Sequence, residues 1–300
     1  MKKIMKIIVL LMLLLGVVSG CNKETDTLRL GTMPTYSAAI YAVGIEKEFF
    51  KDAGIEVELT VFRSARDRDA AATAGELDGF MTDIMGAVNL NAKGFPFIMT
   101  SREYEDFGVM AGIDVNKKSV MLPKTGIADN TVTEYIVDTY ITQKIEKVNI
   151  IAVPDRMGAL LSGELSYGVF PQPFMGIIEE KGGQLVFNTA SEEFYPVVLV
   201  FDETYMNEKE ASIKAFYEGY IKTVEYMQSV SYDDYKEALV TYTLATEETV
   251  DLYKLPVAEY GLNSVDEKTF NSIVTWMKEK ELLDIEMNFN SIQSSNFSEE

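Results

Sequence analysis

Polar side chains and helix starts recur in this sequence where predicted strands end, which is where a parallel α/β sheet forms its binding cleft. At the helix starts near Ser37 and Thr131, hydroxyls and free backbone N–H groups suit a sulfonate, carboxylate or phosphate group. Arg102 and Arg156 are the candidate counter-charges for such an anion. The candidate ligand-binding residues are Tyr36, Ser37, Arg63, Thr82, Asp83, Arg102, Asn130, Thr131, Thr133, Phe170 and Gln172.

The same residues also suit a second kind of ligand, a planar nitrogen-containing ring. Tyr36 and Phe170 are candidate stacking faces, and Asn130 and Gln172 supply amide groups for its edge. Both ligand classes stay open, because each hydroxyl also suits a helix cap, each aromatic a core and each arginine a surface ion pair.

Composition favours binding over catalysis. The chain contains no histidine, so the commonest general base and the commonest zinc ligand are missing. No phosphate-binding loop, dinucleotide fingerprint or EF-hand pattern occurs, and no carboxylate pair stands out among the 47 acidic residues. We therefore predict a non-enzymatic protein with no metal site and no cofactor.

The N-terminus is typical of a lipoprotein signal. Lys2, Lys3 and Lys6 precede an uncharged apolar run over residues 7–18, which is too short to span a bilayer comfortably. The run ends in Val-Ser-Gly followed by Cys21, the only cysteine in the chain. A lone cysteine in an exported protein is a liability unless it is modified, and this cleavage site resembles a bacterial lipobox. We predict a signal peptide over residues 1–20, lipidation of Cys21, and a short tether to residue 27.

The charge limits the partners. Loss of residues 1–20 removes three lysines and no acid, so the formal net charge changes from −20 to −23. Nucleic-acid binding is disfavoured without basic clusters, and the lipid must hold the protein at the outer face of the membrane. The negative electrostatic field of the protein disfavours the capture of a highly charged anion. We therefore favour an uncharged or weakly charged planar solute over nitrate or a simple sulfonate.

Alternating strands and helices predict two successive α/β lobes, because strand–helix–strand order is typical of parallel sheets. The predicted helix ends are marked by Gly-Glu-Leu at residues 75–77 and again at 163–165, so the two lobes echo one another. The pattern predicts one helix over residues 37–53 and a strand over 119–122. Helical periodicity dominates beyond residue 210 and predicts helices over 212–229, 232–244, 247–255 and 266–280. We predict lobe 1 over 28–105 and 200–287 with C-terminal helices, lobe 2 over 106–199, and a flexible tail over 288–300.

Several segments resemble, in order, those of the solute-binding proteins of nitrate, sulfonate, taurine and thiamine-precursor ABC importers. The resemblance covers about residues 28–200, and its blocks are Tyr41–Leu59, Arg66–Ala71, Gly75–Gly79, Thr82–Asp83, Asn130–Tyr135, Pro154–Met157 and Phe170–Phe174. Gln172 stands where the family usually has Glu or Asp, and Ser166 replaces its usual Asp. The second-lobe match is therefore looser.

The resemblance implies a two-lobe, type II periplasmic binding fold whose crossing segments, near residues 102–108 and 194–202, act as a hinge that closes on ligand. It also implies a monomeric component of an ABC importer, working with a permease and an ATPase. Two alternatives remain: a lipid-anchored sensor that presents its solute to a membrane receptor, and an enzyme on the same fold. The second is disfavoured because the related pyrimidine synthases use a histidine and a cysteine cluster, which this sequence lacks.

Overall fold

The computed structural model describes residues 25–113, 122–243, 245–253, 257, 260–294 and 297. The predicted signal peptide and Cys21 lie outside these residues. None of the helices in the described ranges is both long and apolar enough to cross a membrane.

Two five-stranded sheets of the same design organise the chain. The sheet of lobe 1 has the order β2-β1-β3-β10-β4, formed by β1 (Asp26–Thr32), β2 (Ile55–Val61), β3 (Gly79–Asp83), β4 (Phe97–Arg102) and β10 (Val197–Asp202). The sheet of lobe 2 has the order β7-β6-β8-β5-β9, formed by β5 (Phe107–Ala111), β6 (Lys124–Ile127), β7 (Glu146–Asn149), β8 (Tyr167–Pro171) and β9 (Gln184–Asn188). In each sheet one antiparallel strand, β10 or β5, enters from the other lobe.

The helices pack on these sheets and follow the predicted order. They are α1 (Tyr36–Glu46), α2 (Phe49–Ala53), α3 (Ala65–Thr73), α4 (Ile84–Ala92), α5 (Val132–Tyr140), α6 (Val153–Leu161), α7 (Phe174–Glu180), α8 (Glu203–Glu208), α9 (Glu210–Ser229), α10 (Lys236–Tyr242) and α11 (Glu267–Glu279). Helix α9 packs on α1 and α2 through Phe216, whose ring stacks on Phe50 at 5.2 Å. Helices α9 and α10 therefore complete the core of lobe 1, whereas α11 packs in a cluster that also contains Tyr135 and Ile136 of lobe 2.

Two segments connect the lobes. The first crossing, residues 103–106, joins β4 to β5, and the second, residues 189–196, joins β9 to β10. The second lies earlier than the sequence indicated, because residues 197–202 form β10 inside the sheet of lobe 1. The predicted boundary at 199/200 thus falls within a strand.

Some elements differ from the sequence prediction. The helix predicted over 37–53 is two helices, because Glu48 has a left-handed φ of 58° between them. The strand predicted at 119–122 falls mostly outside the described residues, and β6 lies at Lys124–Ile127. In the described residues of the two helices predicted at 232–244 and 247–255, the first contains an α-helix at Lys236–Tyr242 and the second a 3₁₀ turn at Val250–Tyr253.

The tail is ordered against lobe 1 in its described part, unlike the prediction of a flexible end. The carbonyl of Ile292 accepts a hydrogen bond from the Met99 backbone N–H at 2.8 Å. The ring of Phe297 stacks on Tyr217 with centroids 5.8 Å apart. Apolar burial of Ile292 and Phe297 outweighs the polar composition of the segment.

The similarity between the two Gly-Glu-Leu segments, at residues 75–77 and 163–165, corresponds to a structural repeat of the two lobes. Gly75 and Gly163 both have left-handed φ angles, 74° and 79°, just after α3 and α6. The next leucines, Leu77 and Leu165, are both buried. Each fills the space over a glycine in the strand second from the edge of its sheet, β1 or β6: a Cβ on Gly31 would lie 2.6 Å from Leu77, and one on Gly126 would lie 2.5 Å from Leu165.

Candidate ligand-binding cleft

A cavity of about 380 Å³ lies between the two lobes. This volume lies within the range of small-molecule sites in proteins. Lobe 1 contributes loops after β1 and β3 and the start of α3, and lobe 2 contributes the loop before α5 and the start of α6. The polar lining residues are Thr35, Arg66, Arg68, Asp69, Thr82, Asp83, Asn89, Lys93, Glu105, Asp129, Asn130, Thr131, Thr133 and Arg156.

On the lobe 1 side of the cavity, the positive charge of Arg68 is neutralised by a neighbouring carboxylate. Arg68, on α3, is only 3% exposed. Its Nη2 donates to the Thr82 hydroxyl at 2.8 Å, and both Nε and Nη2 donate to Oδ1 of Asp69, at 3.0 and 2.7 Å. The guanidinium also lies 5.4 Å from the ring centroid of Phe80. These contacts hold Arg68 as an internally paired cation.

Asp83 sits beside this pair as the N-cap of α4. Its Oδ1 accepts a hydrogen bond from the Gly86 backbone N–H at 2.8 Å. Burial raises the pKa of Asp83, although this hydrogen bond and Arg68 oppose the shift. The carboxyl therefore serves the helix terminus first.

Lobe 2 presents a positive charge without an acidic partner. Arg156, on α6, is 1% exposed. Its Nε donates to the carbonyl of Val169 at 3.0 Å and its Nη1 to that of Ile150 at 2.6 Å, while the guanidinium lies 5.3 Å from the Phe170 ring centroid. Nowhere in the described part of the chain does a carboxylate form an ion pair with it, and burial lowers its pKa to about 10. An unpaired buried charge is costly, so this group favours an anionic ligand.

The N-terminus of α5 lines the same cavity. The Thr131 hydroxyl caps the helix by accepting from the Thr133 N–H at 3.2 Å, and it donates to the Ala128 carbonyl at 2.7 Å. The Thr133 hydroxyl accepts from the Ala128 N–H at 2.9 Å. These hydroxyls fix the loop that faces the cavity, and Asn130 adopts a left-handed φ of 58° there.

The first crossing places a buried carboxyl in the cleft. Glu105 is 1% exposed and lines the cavity. Its Oε1 accepts from the Ser37 backbone N–H at 2.7 Å, whereas its Oε2 is buried without a hydrogen-bond partner among the described residues. Burial raises the pKa of Glu105 to about 8.

Glu103, two residues earlier, is a matched carboxyl outside the cleft. It is 2% exposed, and its Oε1 accepts from the Tyr41 hydroxyl at 3.2 Å. Burial raises its pKa to about 7. It is not among the residues that line the cavity.

Five of the predicted ligand-binding residues line the cleft together: Thr82, Asp83, Asn130, Thr131 and Thr133. They end strands or begin helices at the facing edges of the two sheets. The rule that ligands bind at the carboxyl ends of parallel strands accounts for all five. Their contact with a ligand stays a prediction.

Three predicted ligand-binding residues near helix or strand ends lie outside the cavity lining because of local packing. Ser37 is fully buried on α1, and its N–H is bound by Glu105. Tyr36 packs against the core of lobe 1, where burial raises its pKa. Arg63 is exposed and outside the cavity lining.

The other three predicted residues are also outside the lining. Phe170 is fully buried beneath the guanidinium of Arg156, so its face is already occupied. Arg102 lies 4.9 Å from the Tyr195 ring centroid and lines a separate crevice of about 790 Å³, together with residues of the second crossing and the first turn of α11. Gln172 follows Pro171, which does line the cavity, but is not itself part of the lining.

Sequence reasoning missed Arg68 and Glu105 as cleft residues. Arg68 and Arg156 each stand seven residues before the glycine that ends their helix, so the internal repeat carried a signal for the pair. No comparable signal marks Glu105, because its position depends on the path of the first crossing. Among the described residues, no cluster of three or more acidic, histidine or cysteine side chains forms a metal site.

Comparison with known proteins agrees with this architecture. Residues 21–149 match the model of the NMT1-like family, while no curated protein matches the sequence. The fold resembles a ligand-binding component of an ABC-type import system from Staphylococcus aureus solved with zinc bound (TM-score 0.74, 16% identity, 91% of this chain and 98% of that one). It also resembles the periplasmic aliphatic sulphonate binding protein SsuA from Escherichia coli (TM-score 0.70, 9% identity, 89% and 91%).

A third similar structure is a Candida albicans protein described as having the generic periplasmic binding protein fold (TM-score 0.66, 11% identity, 91% of this chain and 98% of that one). At these identities the likeness establishes the fold, and the family resemblance seen in the sequence is confirmed for the matched residues. The chain is therefore a two-lobe, type II periplasmic binding protein in fold, and its residues 21–149 are similar to the NMT1-like family.

Proposed function

We propose that this protein is the extracytoplasmic substrate-binding component of an ABC-type importer, which captures a small organic solute between its two lobes. The observation that carries the proposal is a cavity lined from both lobes, with the buried Arg156, which forms no ion pair within the described part of the chain, on one side. A solute that touches both lobes stabilises the closed state more than the open one. Its delivery then requires a membrane permease and an ATPase.

A solute panel tests the binding step. Sulfonates, nitrate, pyrimidines, flavins and amino acids are added to the purified protein, and its thermal unfolding is followed. A solute present at 100 times its dissociation constant adds about 2.7 kcal/mol to the free energy of unfolding. Cells that lack the gene should then lose high-affinity uptake of that solute. Uptake unchanged by the deletion would count against the transport role.

We also propose that Cys21 carries the lipid that holds the protein at the outer face of the membrane. The support is the Val-Ser-Gly-Cys site after an uncharged apolar run, in a chain with one cysteine. In Cys21→Ala the protein should leave the membrane fraction or keep its signal peptide, and its mass should lose the lipid. Unchanged fractionation and unchanged mass would contradict the anchor.

A further inference from the structure

Helix α11 connects the two lobes outside the crossing segments. It packs on α4 of lobe 1, and Ser272, Trp276 and Lys280 recur along it every four residues, so they lie on one face. That face contacts α5 of lobe 2: the Tyr135 hydroxyl donates to Oγ of Ser272 at 3.0 Å, and the Tyr135 ring meets the indole of Trp276 edge-on with centroids 5.8 Å apart. The lobes are therefore joined at a third place, besides the two crossings.

Four charged groups, here called the inter-lobe charge cluster, meet at the C-terminal end of this contact. Glu134 and Asp138 lie on α5, and Lys147 on β7 places its Nζ 2.7 Å from Oε1 of Glu134 and 2.5 Å from Oδ1 of Asp138. Lys280, at the end of α11, places its Nζ 3.0 Å from Oδ2 of Asp138 and 3.3 Å from Oε1 of Glu134. Lobe 2 contributes two carboxylates and one ammonium, so the second ammonium, from outside lobe 2, balances the charge.

The burial of Glu134 distinguishes this cluster from an ordinary surface ion pair. The residue is only 8% exposed. Burial would raise its pKa, but Lys147, the Asn130 N–H and Lys280 together lower it. Exposed pairs such as Lys214 with Glu210 contribute little, whereas a buried carboxylate depends on each of its partners.

The same carboxylate shapes the cleft. Its Oε2 accepts a hydrogen bond from the backbone N–H of Asn130 at 2.9 Å, and Asn130 lines the cavity with a left-handed φ of 58°. Its Oε1 faces Lys147 and Lys280. One side chain therefore links the charge cluster to the loop before α5.

We propose that Lys280 restrains the relative orientation of the two lobes and, through Glu134, positions the cleft loop at Asn130. Two crossing segments alone permit hinge rotation of one lobe against the other. A third contact that includes a buried charge limits the orientations that the empty protein samples. This restraint goes beyond the proposed function and does not depend on which solute the cleft binds.

The test measures the distance between the lobes in the protein without solute. Spin labels are placed on Ala70→Cys in α3 and Asp155→Cys in α6 of the mature chain, with Cys21→Ala, since both positions are exposed. We expect one narrow distance distribution, which Lys280→Met should broaden by several ångströms. Salt at about 1 M, where the screening length is about 3 Å, should move the unsubstituted distribution toward that of Lys280→Met.

Two controls separate this charge from a general effect on the helix. Lys278→Met removes an ammonium two residues earlier, which pairs with Glu286 at 2.6 Å and forms no ion pair with a described residue of lobe 2, and it should leave the distribution unchanged. Lys280→Glu should broaden the distribution more than Lys280→Met, because three carboxylates then face one ammonium. Combining it with Asp138→Lys rebalances the cluster and should restore the narrow distribution.

Hydrogen exchange measures the positioning of the cleft loop. The Asn130 amide should exchange severalfold faster in Lys280→Met than in Lys278→Met, because the acceptor of its hydrogen bond has lost one of its partners. Equal exchange rates in the two variants would rule out the positioning role.

The outcomes for the restraint are separate from those for solute binding. A distribution that stays narrow in Lys280→Met, or that the charge exchange with Asp138 fails to restore, would show that Lys280 does not restrain the lobes. Because no solute is present in these measurements, that result would leave the proposed binding function standing. A solute panel without a hit would equally leave the restraint standing.

Discussion

Arg68 in lobe 1 and Arg156 in lobe 2 occupy the same position of the structural repeat but have different partners. Both are buried on the helix that precedes the Gly-Glu-Leu turn, and both lie over a phenylalanine ring. Arg68 is paired with Asp69 and Thr82, whereas the hydrogen bonds that Arg156 donates to described residues all end on backbone carbonyls. The same repeat position thus holds an arginine neutralised by its neighbour in lobe 1 and an arginine without such a neighbour in lobe 2. This difference indicates that the lobe 2 side of the cavity binds an anion.

The strongest way to break this comparison is to remove each cation in turn. Arg68→Gln and Arg156→Gln should each lower the free energy of unfolding by about 3 kcal/mol, because each leaves buried oxygen acceptors without a donor. Only Arg156→Gln should weaken binding of an acidic solute by about 100-fold or more, since it removes the cation that has no anionic partner among the described residues. Urea unfolding and calorimetric titration measure the two effects. A larger loss of affinity in Arg68→Gln than in Arg156→Gln would show that the anion binds to lobe 1 instead of lobe 2.

The second test concerns the two carboxyls that the first crossing buries. Their pKa values are raised to about 7 for Glu103 and about 8 for Glu105, so between about pH 5 and 8 the native state binds more protons than the unfolded state. The free energy of unfolding of the empty protein should therefore fall across this window, by an amount on the order of 6 kcal/mol for the two groups together. Urea unfolding at pH 5 and pH 8 measures the fall.

The double variant Glu103→Gln, Glu105→Gln is the control for this pH effect. Its free energy of unfolding should change much less over the same window, because both raised carboxyls are gone. If the free energy of unfolding of the wild-type protein rises from pH 5 to pH 8, the raised pKa values of Glu103 and Glu105 are contradicted.

The repeat itself can be tested through its paired glycines. Gly31→Ala and Gly126→Ala should each lower the free energy of unfolding by about 1–3 kcal/mol, because the new methyl would overlap Leu77 or Leu165. Only Gly126→Ala should also weaken solute binding, since its Cβ would lie 2.9 Å from Cγ of Arg156. Urea unfolding and titration measure both effects, and equal affinities in the two variants would contradict this asymmetry.

Gly158→Ala is the matched control for these glycines. Gly158 is exposed on α6, and a Cβ there would meet nothing within 4 Å. It should raise the free energy of unfolding by about 0.5–1 kcal/mol, because alanine favours the helix.

The smallest expected effects concern the caps of helices in the two lobes. Ser64 caps α3 by accepting from the Asp67 N–H at 3.2 Å, and Thr131 caps α5 by accepting from the Thr133 N–H at 3.2 Å. Ser64→Ala and Thr131→Ala should each lower the free energy of unfolding by about 1 kcal/mol. Replacement by Asp, which also caps, should cost less than replacement by Ala. Thermal unfolding with indistinguishable Ala and Asp variants would argue against the caps.

The fold could be predicted from sequence because its determinants are local. Alternation in β1 and β2, glycines with left-handed φ after α2, α3 and α6, and the order of strands and helices all act over a few residues. The short strand β6 was not predicted, because Thr125 and Gly126 give no alternating apolar signal. The tail was misjudged because burial of Phe297 is a tertiary effect.

The site could be predicted only where strand ends determine it. Thr82, Asp83 and Asn130 follow strands and reach the cleft as expected. Ser37 also starts a helix, yet α1 is buried along most of its length and its N-terminus is bound by Glu105. That contact joins residues 68 positions apart, and no local pattern encodes it.

The most direct test of the account is the distance between the lobes with and without solute. Spin labels on Ala70→Cys in α3 and Asp155→Cys in α6 report this distance, since both positions are exposed and Cys21, the only native cysteine, can be replaced by alanine. We predict that a solute selected by the thermal-unfolding panel shortens the distance by several ångströms, and that Arg156→Gln abolishes this shortening at the same concentration. A solute that binds at one molecule per protein and leaves the distance unchanged would contradict capture between the lobes.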